Sequence, residues 1–212
     1  MMGSVFDLRR CTQRVGKSIF TPSMSPDEKD ELLKRNPELS RYVRPFVGAD
    51  EYVIVPSVSS EKRRYVPIGF VTPDVVASNL VLIIPNASLY HFGVLTSQAH
   101  MAWMRVVCGR LKSDYRYSAD IVYNNFPWPE PSEAQRARIE QTAKAILDAR
   151  AKYPESTLAA LYNNDFMPAD LLRAHQANDR AVMQAYGFPV KSTFTESQCI
   201  TELFKLYKNL TQ

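Results

Sequence analysis

The hydrophobic and polar positions along the chain change period twice, which divides it into three regions. In the first, up to about Ala49, a capping box marks one clear helix. Ser25 sits at the N-cap, Pro26 at the first helical position and Glu28 three residues after the cap, so that side-chain acceptors and backbone donors satisfy one another. Asn36-Pro37 closes that helix, and a second short helical or turn segment, Glu38 to Phe46, precedes Gly48. From Glu51 to about Trp128 the pattern becomes strand-like. Tyr52-Val53-Ile54-Val55 and Leu80-Val81-Leu82-Ile83-Ile84 are β-branched runs bounded by prolines and polar residues, as buried strands should be. Tyr65 to Phe70 reads as a third strand at an edge or bulge, because Pro67 has no N–H to give a ladder. Leu89 to Leu111 lacks proline and mixes Ala, Met, Trp and Val; its second half, Ser97 to Gly109, reads as a buried helix.

Phe126-Pro127-Trp128-Pro129-Glu130-Pro131 is a rigid joint, and the chain beyond it is helical. Ser132 caps the next helix with Gln135 three residues on, while Ile139, Ala143, Ile146 and Leu147 line one apolar face until Tyr153-Pro154 ends it. Another helix runs from Pro168 to Tyr186, stopped by Gly187 and Pro189. The last is capped by Thr195 with Gln198 and puts Ile200, Leu203, Phe204 and Tyr207 on one stripe. There is no internal repeat. The pattern predicts an α+β chain: an N-terminal helical segment over 1–50, a small mixed-sheet domain over 51–129 and a helical C-terminal domain over 130–212.

Composition narrows the function classes. With 212 residues, 45% of them hydrophobic and 23% charged, the chain can bury a sizeable core as one domain or two small ones. Its longest apolar candidate, Val75 to Pro85, falls well short of the roughly 18 residues of a membrane span, so no membrane partner is expected. Met1 to Arg10 lacks the apolar stretch of an export signal, which leads us to expect a cytoplasmic protein. Cys11, Cys108 and Cys199 lie far apart with no second Cys or His at zinc-site spacing; His91, His100 and His175 form neither HxxxH nor HExxH. No metal is expected. The formal net charge of +4 is uneven: 16 Lys/Arg against 12 Asp/Glu up to Trp128, and 10 against 10 thereafter. Lys62 to Arg116 holds seven basic residues and two acidic ones, an invitation to a polyanion.

The basic residues fall in two segments. Gly109 to Ser118 interleaves Arg110, Lys112 and Arg116 with Tyr115, Tyr117 and small polar donors. Such residues neutralise phosphates, donate to them and read guanine edges, although a solvated loop carries the same letters. Ser59 to Tyr65, with Lys62, Arg63 and Arg64, repeats the chemistry in a turn. Tyr123-Asn124-Asn125-Phe126-Pro127-Trp128 is reminiscent of the Asn-Pro-Pro-aromatic segment of amino-methyltransferases, but the order is wrong and no Pro-Pro pair exists anywhere, so a packed joint is the better reading. The seven glycines (3, 16, 48, 69, 93, 109, 187) are too far apart for a nucleotide or S-adenosylmethionine loop. There is no GxSxG and no recognisable cysteine motif, and His91 and His100, set among apolar neighbours, read as core histidines.

Four segments carry a resemblance: Tyr42 to Gly48, Arg64-Tyr65-Val66-Pro67-Ile68-Gly69-Phe70, Leu89-Tyr90-His91-Phe92-Gly93 and, above all, Gly109 to Pro129. They resemble the C-terminal part of MmeI-like DNA methyltransferases, adenine-N6 enzymes of restriction-modification type. The likeness continues through Ala174 to Val182 and Ala185 to Phe188. It implies that the part matching Ser57 to Pro129 is a target-recognition domain that docks on duplex DNA, followed by a helical C-terminal domain. It lands on the basic segment that the charge count singles out, and on both grounds Lys62, Arg63, Arg64, Arg110, Lys112 and Arg116 are the expected phosphate or base contacts, supported by Tyr115 and Tyr117. In the family the catalytic domain, with its S-adenosylmethionine and Asn-Pro-Pro-aromatic motifs, precedes this part; neither motif is in this chain. No catalytic residue or cofactor site is therefore expected here, and the chemistry is expected elsewhere, on a separate catalytic chain or in the remainder of a truncated gene product. Where the family has a longer insertion, Ala49-Asp50-Glu51 runs almost directly into Tyr52 to Pro56. The competing expectation is a remnant that no longer binds DNA and docks on a partner through its helices.

Overall fold

The run Tyr52-Val53-Ile54-Val55 becomes β1 (Tyr52–Pro56), the central strand of a three-stranded sheet in a computed structural model that describes residues 51–72, 77 and 80–211, with Glu31, Lys34 and Arg35. Those three residues are helical, within the expected first helix; its cap at Ser25 and the segment Glu38 to Phe46 lie outside the described residues. One residue past β1, Ser57 hands the chain to a second sheet. Its N–H and hydroxyl donate to the Leu80 carbonyl on the first sheet, at 2.9 and 2.7 Å, while its own carbonyl accepts from Tyr117 N–H at 2.9 Å. β2 (Val58–Ser59) comes at once after it.

The first sheet has the order β3-β1-β4, with β3 (Gly69–Val71) and β4 (Val81–Pro85) both antiparallel to β1. Pro67 shortens the third strand, since Tyr65, Val66 and Ile68 are buried without joining the ladder and only Gly69 onward pairs, at the edge. The second sheet has the order β2-β6-β5, formed with β5 (Gly109–Leu111) and β6 (Asp114–Arg116). Every pairing in both sheets is antiparallel, which corrects the expected mixed sheet. For β5 and β6 the reason is chain length: the two-residue turn at Lys112-Ser113 can return a strand only alongside itself in the opposite direction.

Two helices lie between β4 and β5 in sequence. The stretch after Leu89 is helical in both halves, as α1 (Leu89–Leu95) and α2 (Gln98–Val107). The first escapes the periodicity argument because Tyr90, Phe92, Gly93, Val94 and Leu95 are all buried, so the helix shows no polar face. After one π-helical turn, Ala119–Tyr123, the proline-rich joint packs Trp128 against Tyr90, His91, Tyr123 and Phe126 at ring separations of 5.6–6.3 Å. Tyr90 and Tyr186 hydroxyls donate to the Pro129 and Pro127 carbonyls, at 3.1 and 2.7 Å. This is a packed joint.

α3 (Glu133–Ala151) begins in a full capping box, Gln135 N–H donating to Ser132 Oγ and Ser132 N–H to Gln135 Oε1. A short α4 (Leu158–Leu161) leads to α5 (Ala169–Ala185), which ends at Gly187 with φ +71° in a Schellman closure, Phe188 N–H donating to the Met183 carbonyl. α6 (Glu196–Thr211) is capped by Thr195 and Gln198 and buries Cys199 and Leu203 against α2; Phe204 and Tyr207 rings lie 5.1 and 5.7 Å from Trp103. One core of buried residues runs from Val53 on β1 to Leu203 on α6, so the helices and the sheets share it across the proline joint.

Candidate nucleic-acid interface

The two basic segments are about 50 residues apart in sequence and adjacent in space. β2 pairs with β6 so that Val58 faces Arg116 and Ser59 faces Tyr115, which places the turn after β2 beside the β5–β6 hairpin. In that turn Arg63 N–H donates to the Ser60 carbonyl at 3.1 Å, and Lys62 and Arg64 stand exposed. In the hairpin, Gly109 to Ser113 and Arg116 are exposed, and Lys112 takes φ +57° at the tip. Arg110 ties the two together. Its guanidinium lies 4.2 Å over the Tyr115 ring, donates to the Ser113 carbonyl at 2.9 Å and approaches Glu61 at 3.5 Å. Both ions of that pair are exposed, so its worth is geometric more than energetic.

Alternation along β6 divides the expected contacts. Arg116 points outward with Val58 and Gly109 as its neighbours, whereas Tyr115 and, just beyond the strand, Tyr117 are buried at 7% and 6% exposure. Tyr115 is a platform under Arg110. Tyr117 shares a 3.0 Å hydrogen bond with His100 Nε2, and burial pushes its hydroxyl well above the ordinary tyrosine value and His100 down to about 3. Both tyrosines thus hold the hairpin from within. Arg63 turns away from the others and donates to the Ala159 carbonyl at 3.5 Å.

Sequence reasoning missed the residues that fix the turn. Asn164, from the loop between α4 and α5, donates from Nδ2 to the Lys62 carbonyl and accepts the Arg64 N–H at 3.0 Å. Arg105 donates to the Arg64 carbonyl at 2.5 Å while both oxygens of Glu196 accept from its guanidinium at 3.0 Å. The signal available in sequence was only an unremarkable Asn-Asn pair.

The other reactive side chains serve the fold. His91 Nδ1 accepts from Ser88 N–H in the cap of α1, and burial raises Cys199 to about 12, which leaves an inert thiol. His175 stacks on Tyr65 at 4.3 Å and bonds the Tyr162 hydroxyl at 2.6 Å. Among the described residues no three His, Cys, Asp or Glu side chains come together as a metal site, and no helix is long and apolar enough to cross a membrane. What the surface offers is a cluster of guanidinium and ammonium groups on a hairpin and a clamped turn.

Small antiparallel sheets thus present this cluster in front of a helical domain. Residues 51–130 match the family described as "MmeI, target recognition domain" and residues 131–212 the one described as "MmeI, C-terminal domain". The chain therefore belongs to the MmeI-like family, as its C-terminal part. It is similar to DNA methyltransferase A of Bacillus subtilis (strain 168), 43% identical over 160 residues that make up 76% of this chain and 18% of the relative. It is also similar to the type IIL restriction-modification enzyme MmeI, solved in complex with DNA, at 46% identity and a TM-score of 0.74, over 80% of this chain and 22% of that one. The chain spans about a fifth of the length of these relatives.

Proposed function

We propose that this chain binds duplex DNA as the target-recognition and C-terminal portion of a site-specific adenine-N6 DNA methyltransferase of restriction-modification type. The observation that carries the reading is the β2–β6 pairing, which sets exposed Lys62 and Arg64, on the turn after β2, beside exposed Arg110, Lys112 and Arg116 on the β5–β6 hairpin. Cations so grouped neutralise successive phosphates, and an arginine on a hairpin can enter a groove and read a base edge. Arg63, turned toward the Ala159 carbonyl, stands apart from this group. The MmeI relative was solved with DNA, which supports the same partner here.

Methyl transfer belongs in this reading to a catalytic domain, the counterpart of the four-fifths of the relatives that lies outside the match, on this polypeptide or on a separate one. S-adenosylmethionine would bind there. Two of the described glycines are filled by packing: a Cβ at Gly69 would meet Ile54 at 2.6 Å and one at Gly93 would meet Ile139 at 2.7 Å. A DNA substrate makes the cytoplasm the expected compartment.

The test is binding of the protein to duplex DNA across a salt series. Affinity should fall with salt with a slope of about 0.9 per phosphate contact, and Arg110→Ala with Lys112→Ala should weaken binding and lower the slope by about two contacts' worth. A folded double variant with the original affinity and slope would sink the assignment. If the unaltered protein ignores DNA at low salt, the partner-docking reading takes its place, favoured by Leu206 and Leu210, which stand exposed one turn apart on α6.

A further inference from the structure

We infer that Asn164 is a positioning residue for DNA binding: from the C-terminal domain it clamps the backbone of the basic turn Lys62-Arg63-Arg64 into the conformation that meets DNA. The inference rests on the DNA-binding reading above. Its basis is the convergence of bonds on a three-residue backbone. The Asn164 amide spans the turn, donating to the Lys62 carbonyl and accepting the Arg64 N–H at 3.0 Å. From the other side Arg105 donates to the Arg64 carbonyl at 2.5 Å, itself braced by Glu196 at the start of α6, and the Ala159 carbonyl holds the Arg63 guanidinium at 3.5 Å. Asn164, Glu196 and Ala159 all belong to residues 131–212, so the domain behind the turn shares in setting its shape with Arg105 and the turn's own bond from Arg63 N–H to the Ser60 carbonyl.

The physical reason for such a clamp is the charge it holds. Three adjacent cations repel one another and, left to a free turn, would spread over many conformations that must be given up on binding. A bidentate side chain bonded at both ends moves that cost from the binding step to folding. Asn164 itself adds no charge to the face. A residue of this kind changes affinity without changing the number of phosphates contacted, which separates it from the cations it holds.

The experiment compares salt series for the unaltered protein, Asn164→Ala, Lys62→Ala with Arg64→Ala, and the triple variant, with thermal unfolding of each and amide exchange at Arg64. Asn164→Ala should accelerate exchange of the Arg64 N–H and weaken DNA binding about fivefold at an unchanged salt slope, since the charges remain and only their ordering is lost. Loss of Lys62 and Arg64 should lower the slope, and in that background Asn164→Ala should cost nothing further. Unchanged binding by Asn164→Ala, or the same loss persisting when Lys62 and Arg64 are gone, would overturn the positioning role, the latter by showing a direct contact. If Lys62→Ala with Arg64→Ala weakens binding while Asn164→Ala does not, this inference alone fails; if the unaltered protein shows no salt-dependent binding, it falls together with the DNA-binding reading.

Discussion

At Gly93 a single β-carbon would disturb the contact between two helices. An added Cβ would lie 2.7 Å from Ile139 Cγ2 and 3.1 Å from both Ala143 Cβ and Asn178 Oδ1, inside a seam where Asn178 Nδ2 already donates to the Gly93 carbonyl at 2.7 Å. α1 and α3 therefore touch because residue 93 has no side chain. Gly93→Ala should destabilise the protein by about 1–2 kcal/mol, overpacking outweighing the better helix propensity of alanine; urea unfolding would check it. Tyr115 and Tyr117 make the complementary point. Their hydroxyls suggested donors toward phosphate, and only the alternation of β6 shows that both rings face inward, under Arg110 and against His100.

Elements whose start and stop signals are local were legible. Ser132 with Gln135 and Thr195 with Gln198 form boxes that need only four consecutive residues, and Gly187 ends α5 by adopting a positive φ. Ser132→Ala should cost about 1 kcal/mol, a loss visible as a lower urea midpoint with an unchanged slope. The box also holds Gln135 in place to donate to the Gln184 carbonyl at 3.1 Å, which links the start of α3 to the end of α5. The elements that escaped sequence reading are those whose pattern depends on distant neighbours. α1 is buried on all sides and so shows no period. The β5–β6 hairpin has an exposed first strand and lysine, not glycine or asparagine, at its positive-φ position, and thus lacks the usual hairpin letters.

Across the whole molecule, a chain of polar contacts joins the sheet-bearing half to the helical half. Arg150 donates to the Ile68 carbonyl at 2.9 Å and to the Tyr162 hydroxyl at 2.8 Å; Tyr162 bonds His175, which stacks on Tyr65. Tyr65 donates to Asp179 at 2.6 Å, and the other Asp179 oxygen accepts from Gln98 N–H at 2.8 Å. Burial pushes the Asp179 carboxyl up to about 6 against those donors. Because its folded value is raised, the stability it contributes is full below about pH 4 and is lost as pH rises through about 6. His100, held down to about 3 by burial, acts oppositely: its contribution is full above about pH 6.5 and is lost on acidification, and His175, also lowered, adds to it. Urea midpoints should therefore fall as pH drops below about 6.5, and Asp179→Asn, by removing the opposing term, should steepen the fall between about pH 6 and 4. Superimposable pH profiles for the variant and the unaltered protein would refute this account.

The sequence by itself determined what short range can encode: the capped helices, the β-branched strands, the basic segments and, through its long motif from Gly109 to Pro129, membership of the MmeI-like family. Tertiary structure alone decided which of those charges meet. Ser57 must hand the chain from one sheet to the other before Val58 can lie beside Arg116, and Asn164 must reach back about 100 residues to hold Lys62 and Arg64. Such contacts have no sequence period, because chain entropy makes close neighbours meet cheaply while distant ones meet only when a shared core brings them together.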